Sequence, residues 1–265
     1  MPKKINFLVI DQSNERGTGT APNKVNNVAV LPTVPGPNVR QRTLFGRSNS
    51  VLIAAGTPGT VSTSSVFSAL KERVAAHTGW DIGIMNKAQG NTGMVDAWVG
   101  RDPVTGLLYE QGQAGYDPSG LINDAVGSAQ LAADRGDENW IFAAGGGQND
   151  IAAQRPTAQI IQAKAHVISR IAAVGPHKIF IGRGNRYIGS VNESEWNAPN
   201  GKIHLVADGV LAAFPGAYRA GDASASTDVN RCAADSQPLI HLNHVGVLWW
   251  AGLIFDDLLA QNVFK

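Results

Sequence analysis

Residues 140–150 read WIFAAGGGQND, a short apolar run that passes through three glycines into polar residues. An apolar run of this length, ended by glycine, is typical of a strand buried on both faces of a parallel sheet. Residues 157–174 follow, with isoleucines and alanines at the 3.6-residue period of a helix that Gly175 and Pro176 end. Residues 178–182 form the next apolar run. Strand, helix and strand in this order predict a parallel β-α-β unit.

The same alternation of short apolar runs and helical patterns extends over the rest of the chain. It predicts further strands over residues 5–10, 81–88 and 217–220, and further helices over residues 65–77, 121–134, 202–214 and 244–261. The expected fold class is therefore α/β: a flavodoxin-like, doubly wound parallel sheet of about five strands, with helices on both faces in three layers. We expect residues 1–265 to form a single domain.

Four long irregular stretches interrupt this pattern. They cover residues 12–64, 90–120, 182–201 and 221–240. Structureless loops of more than about 15 residues are uncommon unless they are functional. Since the loops that follow the C-terminal ends of parallel strands form the ligand crevice of such sheets, we expect these stretches to crowd one edge.

Composition excludes several classes of protein. Charged residues make up 16% of the chain and the formal net charge is +1, which argues against nucleic acid as a partner. No apolar run reaches the roughly 18 residues of a membrane span. The single cysteine, Cys232, cannot form an internal disulfide, so a disulfide-stapled scaffold is excluded and an inert thiol is expected. The apolar run at residues 5–10 is too short for a signal peptide, and a first core strand fits it better.

Small polar residues stand where the predicted strands end. Ser13 follows the first strand, Gly90 the second and Asn149 the third, and His241 lies just before the last helix. A serine can act as a nucleophile with a histidine as its general base, and an asparagine amide can donate to a developing oxyanion. Taken one at a time, each residue fits an ordinary turn or helix cap better than a catalytic role. Because the C-terminal ends of parallel strands meet at one edge, the four together indicate one site.

Metal and phosphate sites are not expected. His241 and His244 are close in sequence, but no Glu follows in a His-Glu-x-x-His frame and no cysteine cluster accompanies them. The glycines at residues 145–147 lack the Lys-Ser/Thr pair of a phosphate-binding loop.

The order Ser, Gly, Asn, His resembles the motif blocks of the SGNH (GDSL-type) hydrolase superfamily, over nearly the whole chain. Residues 11–14, Asp-Gln-Ser-Asn, are similar to the Gly-Gln-Ser-Asn first block of the sialate O-acetylesterase-like carbohydrate esterases, with Asp in place of Gly. Residues 90–92, followed by Trp98, resemble the second block of that branch. Residues 147–150, Gly-Gln-Asn-Asp, match the Gly-x-Asn-Asp third block, and residues 241–246 match the fifth.

The resemblance implies a serine esterase. Ser13 would be the nucleophile, and His241 would be its general base and later the general acid toward the leaving alcohol. The oxyanion donors would be the backbone amides of Ser13 and Gly90 and the side-chain amide of Asn149. This scheme requires neither a metal nor an organic cofactor.

Three further residues are expected to contact the substrate. They are Gln12, Asn91 and Trp98, the last by stacking its ring on a sugar. The implied substrate is a small-molecule or polysaccharide ester, and the low charge of the chain fits a neutral ester better than a phosphate.

One departure from the family pattern concerns the acid of the triad. The family's Asp-x-x-His pair would place it three residues before His241, where this chain has Pro238. Asp235 is the first choice, if the loop bulges so that it reaches the imidazole. Alternatively a backbone carbonyl orients the histidine in a Ser-His dyad, or Asp222 or Asp228 supplies the carboxylate from another loop.

The function expected first is hydrolysis of short-chain acyl esters, with an O-acetyl group on a carbohydrate as the substrate. A lipase or thioesterase with a longer acyl preference is one alternative. A catalytically silent carbohydrate-binding or structural module on the same scaffold is another, and Pro238 motivates it.

Overall fold

A computed structural model describes residues 2–10, 66–88, 92–145, 147–184, 201–225, 242 and 244–265. Within these ranges one sheet contains β1 (Lys4–Val9), β2 (Asp81–Asn86), β3 (Glu138–Ala143), β4 (His177–Arg183) and β5 (Tyr218–Asp222). Its strand order is β2-β1-β3-β4-β5, and every neighbouring pair is parallel. This is the flavodoxin-like order, so the predicted fold class is confirmed.

The helices connect and cover these strands. They are α1 (Val66–Thr78), α2 (Leu121–Ala133), α3 (Gln148–Ala152), α4 (Thr157–Ala172), α5 (Lys202–Ala213) and α6 (His244–Ala260), with a π-helix at Met94–Val99 and a short 3₁₀ turn at Ala223–Ala225. The predicted helices are all found, with ends shifted by one or two residues. The stretch 90–120, expected to be irregular, contains the π-helix instead.

Two apolar cores lie on opposite faces of the sheet. On one face the side chains of Ile5, Phe7 and Val9 pack with residues of α1 and α6. On the other face Leu8 and Ile10 pack with residues of α2, α4, α5 and the π-helix. Neighbouring residues of one strand thus enter different cores, which is why the strands are continuous apolar runs rather than alternating ones. The predicted three-layer arrangement follows from these two cores.

The most apolar helix, α6, is part of one core. It packs against β5 and α1, and Trp250, Ile254 and Leu258 are buried there. Within the part of the chain that the structure describes, no helix has both the length and the apolar character needed to cross a membrane. The single-domain organisation stays a prediction, because the segments 11–65, 185–200 and 226–241 lie outside the described residues.

The C-terminal edge of the sheet is where the candidate site begins. The Ile10 amide donates to the Phe142 carbonyl at 3.0 Å, and the Lys87 amide donates to the Val9 carbonyl at 2.8 Å. β1 is therefore held between β2 and β3 to its last residue. The strand order reverses between β1 and β3, and open parallel sheets bind ligands at such a switch point.

Candidate active site

Asn149 lies in the first turn of α3, directly beyond β3. Gly147 precedes the helix in the left-handed conformation with φ of 73°, and a Cβ there would lie 2.9 Å from Ile160 Cγ2. Both the conformation and the lack of space favour glycine at this turn. The side-chain Nδ2 of Asn149 donates to the Thr92 carbonyl at 3.1 Å. Asn149 thus reaches the segment that follows β2.

Asp150 binds the same segment through its carboxylate. Its Oδ2 accepts a hydrogen bond from the Met94 amide at 2.8 Å, and its Oδ1 accepts one from the Val95 amide at 3.0 Å. These amides begin the π-helix, where backbone donors have no carbonyl partner within the helix. A Cβ on Gly93 would collide with the Asp150 carboxylate, so the close approach requires glycine. Sequence reasoning used Asp150 only as part of a motif and missed these contacts.

A buried lysine supports the turn between β3 and α3. Lys164, on α4, has no exposed surface, and its Nζ donates to the carbonyl of Gly145. An ammonium group in the core is costly unless its hydrogen-bonding partners are there too. The apolar periodicity of residues 157–174 gave no sign of this lysine's role.

The start of the segment after β2 is fixed by an ion pair. Lys87 is buried, and its Nζ lies 3.1 and 3.0 Å from the two carboxylate oxygens of Asp124 on α2. The Ala88 amide also donates to the side-chain oxygen of Asn86 at 3.0 Å. These contacts fix the chain two residues before Gly90.

Comparisons with known proteins concern the fold. No protein-family model matches the sequence, and no curated protein matches it either. A structure of a protein from Arabidopsis thaliana is 16% identical, with a TM-score of 0.55 over 98% of this chain and 99% of that one. An alpha/beta hydrolase enzyme from the metagenome of Lake Arreo, Spain, is 11% identical, with a TM-score of 0.54 over 100% and 98%. A carbohydrate acetylesterase from Xanthomonas citri is 13% identical, with a TM-score of 0.53 over 96% and 55%.

The chain shares an α/β fold with these proteins, which include an alpha/beta hydrolase and a carbohydrate acetylesterase. The fold that the motif resemblance implies is thereby confirmed. The chain spans only 55% of the length of the Xanthomonas protein.

Of the predicted site residues, the structure describes Asn149, Asp222 and Trp98. The other predicted residues lie outside them: Gln12, Ser13, Gly90, Asn91, Asp228, Cys232, Asp235, Pro238 and His241. Their roles stay predictions.

Trp98 is a core residue rather than a surface one. It lies in the π-helix, has no exposed surface, and belongs to the core on the α2, α4 and α5 face. Its indole Nε1 has no hydrogen-bond partner among the described residues. A ring without an exposed face offers nothing to a sugar, so the structure does not support the stacking expected of Trp98.

Asp222, one alternative acid, ends β5 and takes part in a local network. Its carboxylate accepts hydrogen bonds from the Arg183 guanidinium at 2.8 Å and from the Ser224 amide at 3.0 Å and hydroxyl at 2.5 Å. Burial alone would raise the pKa of the Asp222 carboxyl, but the bonds from Ser224 and Arg183 outweigh it and lower that pKa below its usual value. Arg183 also binds both carboxylate oxygens of Asp208, at 2.7 and 2.9 Å.

The same network contains a serine–histidine pair that sequence reasoning missed. Ser224 Oγ lies 2.8 Å from His204 Nε2, and Ser224 is buried. Because the Ser224 hydroxyl donates its hydrogen to Asp222, it accepts from the imidazole instead of giving up a proton to it. Burial and the nearby Arg183 guanidinium lower the pKa of the His204 imidazole. A hydroxyl bound in this way is not activated as a nucleophile.

The described ranges contain no group of three or more His, Cys, Asp or Glu side chains that could hold a metal ion. The side chains of His241 and His244 are not among those described.

Proposed function

We propose that the protein is a serine esterase that hydrolyses short-chain acyl esters, with O-acetyl groups on a carbohydrate as the substrate class. The observation that carries the proposal is the position of Asn149. Its side-chain amide lies at the C-terminal edge of the sheet and bonds the Thr92 carbonyl, two residues from Gly90. An amide donor is thus held beside the segment that carries the second proposed oxyanion donor.

In the proposed reaction Ser13 Oγ attacks the acyl carbonyl carbon while His241 takes the hydroxyl proton. The C–O bond to the alcohol breaks as the imidazolium returns that proton to the leaving oxygen. Water, deprotonated by His241, then attacks the acyl-enzyme and releases the acid and Ser13. The proposed oxyanion donors, Ser13 N–H, Gly90 N–H and Asn149 Nδ2–H, are each worth about 3 kcal/mol at the transition state.

The orientation of Asn149 supports this scheme. A side-chain amide carries two hydrogens on Nδ2, and Thr92 accepts one of them. That bond fixes the plane of the amide, and the proposed role requires the second hydrogen to point at the acyl oxygen. Donors fixed before the reaction need no reorganisation when the negative charge develops.

The charges near this edge support a neutral ester as the substrate. A phosphate ester calls for cationic groups directed at the ligand. The cationic side chains described near this edge are all bonded to partners within the protein: Lys87 to Asp124, Lys164 to the Gly145 carbonyl, and Arg183 to Asp208 and Asp222. The acetyl-carbohydrate class rests on the Gln-Ser-Asn form of the first block, and the Xanthomonas neighbour is a carbohydrate acetylesterase.

The test compares p-nitrophenyl acetate, butyrate and octanoate with acetylated oligosaccharides, for the unmodified protein and Ser13→Ala. We expect the acetyl esters to give the highest kcat/KM and Ser13→Ala to lose at least about 10³-fold. Ser224→Ala is the matched control, because Ser224 also contacts a histidine but is left out of the proposed chemistry.

Each other outcome is informative. If Ser224→Ala is inactive and Ser13→Ala is active, the nucleophile is Ser224, just after β5, instead of Ser13. Octanoate as the best substrate would favour the lipase or thioesterase alternative. Sugar binding without hydrolysis of any ester would favour a silent module.

A further inference from the structure

We propose that Asp150 is a positioning residue for the oxyanion donor Asn149. Its buried carboxylate fixes the segment 92–95 against α3, and this segment holds the side-chain amide of Asn149 through the Thr92 carbonyl. The inference rests on the proposed function, and it assigns to Asp150 a task that does not involve contact with the substrate.

Asp150 and its neighbour Asn149 both bond the segment 92–95. Asp150 accepts from the amides of Met94 and Val95 at 2.8 and 3.0 Å, and its neighbour Asn149 donates to the Thr92 carbonyl at 3.1 Å. Three hydrogen bonds therefore join two consecutive residues of α3 to three residues of the segment 92–95. These bonds hold the Asn149 side chain and the segment 92–95 against each other.

The glycines on both sides allow this approach. Gly93 has φ of −96° and ψ of 152°, a conformation open to any residue, but its Cβ would collide with the Asp150 carboxylate. A Cβ on Gly147 would lie 4.0 Å from Asp150 Oδ2 and 2.9 Å from Ile160 Cγ2. Space, rather than backbone conformation, therefore makes glycine necessary at residue 93.

The chemistry of the site requires a carboxylate. Asp150 is 1% exposed and faces two backbone donors at once. A carboxylate accepts at both oxygens, whereas an asparagine would present its NH₂ group to one of the two amides. A donor facing a donor in a buried site loses one hydrogen bond and leaves both groups unsatisfied. Asp150→Asn is thus nearly isosteric and removes the feature that fixes the segment.

The chain offers a matched control in Asp117. It too is buried, and its two carboxylate oxygens accept from the amides of Ile122 and Asn123, both at 3.0 Å, at the start of α2. The two aspartates share burial and bonding pattern, but Asp117 precedes α2, and its carboxylate bonds amides five and six residues further along the chain instead of those of the 92–95 segment. Asp117→Asn therefore reproduces the loss of stability without touching the oxyanion donors.

The experiment measures kcat, KM and the thermal unfolding midpoint for Asp150→Asn and Asp117→Asn on p-nitrophenyl acetate. We expect Asp150→Asn to lower kcat about 10²-fold, as for the loss of one oxyanion donor, and to change KM less than about threefold. Asp117→Asn should lower the midpoint by a similar amount and kcat by less than about threefold. Equal losses of kcat in the two variants would reduce Asp150 to a structural residue.

A double-mutant cycle separates positioning from general damage. In an Asn149→Ala background the amide that Asp150 places is already gone. The combined loss of kcat should then be at least about tenfold smaller than the product of the two single losses. A combined loss equal to that product would overturn the inference.

Two further outcomes complete the test. If Asp150→Asn does not fold, Asp150→Ser, which keeps one acceptor oxygen, takes its place with a smaller expected loss of kcat. If the unmodified protein hydrolyses no ester, the proposed function fails and the positioning role falls with it. If the unmodified protein is active and the two aspartate variants do not differ, the positioning role alone fails.

Discussion

The side-chain amide of Asn6 donates to the side-chain carbonyl oxygen of Asn139 over 2.8 Å, across the β1–β3 pair. Both residues are buried, and Asn139 Nδ2 donates in turn to the Ala129 carbonyl at 3.0 Å. Polar groups inside the sheet are thus satisfied by one another and by α2. The bonds join the two strands whose C-terminal ends flank the proposed site.

Replacing one partner of this pair should be more harmful than replacing both. Asn6→Leu leaves the Asn139 side-chain oxygen buried without this donor, and we expect the free energy of unfolding to fall by about 2 kcal/mol. The double variant Asn6→Leu/Asn139→Leu should lose less than the sum of the two single losses. Urea denaturation followed by tryptophan fluorescence measures all three variants. Strictly additive losses would contradict the direct bond.

Lys164→Met tests the support of the Gly145 turn. Methionine fills a similar volume but removes the donor to the Gly145 carbonyl, so we expect a loss of about 1–3 kcal/mol and a lower kcat. Lys178→Met is the control, because Lys178 Nζ also donates to a carbonyl, that of Val263 at 3.0 Å. Lys178 is half-buried and lies at the start of β4, far from the turn. It should lose less stability and keep its kcat. A Lys164→Met protein with unchanged kcat would show that the bond from Lys164 to the turn does not affect the reaction.

The apolar pattern was enough to predict the sheet and its order of elements. Ile5, Phe7 and Val9 enter one core and Leu8 and Ile10 the other, and a strand covered on both sides leaves this signature in one short run. The start of β3 was missed. The run was expected to begin at residue 140, but β3 starts at Glu138, because Asn139 pairs with Asn6 and a buried polar residue interrupts the apolar pattern.

Long-range contacts cap the start of the π-helix at Met94–Val99, which sequence reasoning did not predict. Its first amides bind the carboxylate of Asp150, 55 and 56 residues further along the chain. Nothing in six residues of local sequence indicates a partner at that distance. Motif resemblance found Asn149 for the same site, but the contacts of Asp150 and Lys164 depend on which segments the fold brings together.

The pKa of His204 predicts how stability depends on pH. Its folded-state value is lowered by burial and by Arg183 from the ordinary 6.5, so the unfolded chain binds a proton more readily. The contribution of His204 to the free energy of unfolding is therefore fully present above pH 6.5. It is lost as the pH falls from there toward the folded-state pKa. His204→Gln should flatten this limb of the stability curve, because glutamine does not titrate in this range. Thermal unfolding midpoints between pH 5 and 8 are the measurement (about half-unit steps suffice).

Gly93→Ala is expected to damage both stability and activity. The backbone at residue 93 accepts any side chain, so the harm comes from the new methyl group and the Asp150 carboxylate competing for one space. Relief requires the carboxylate to leave the Met94 and Val95 amides, and we expect a loss of about 2 kcal/mol together with a fall in kcat.

The control for that substitution is Gly127→Ala, on the exposed face of α2, where an added Cβ meets nothing within 4 Å. Alanine in an open helix position should stabilise the protein by about 0.5–1 kcal/mol and leave kcat unchanged. Chemical denaturation and turnover of p-nitrophenyl acetate measure both variants. A Gly93→Ala protein as stable and as active as Gly127→Ala would show that the 92–95 segment can move away from Asp150 without consequence. The contact between them would then contribute to neither stability nor turnover.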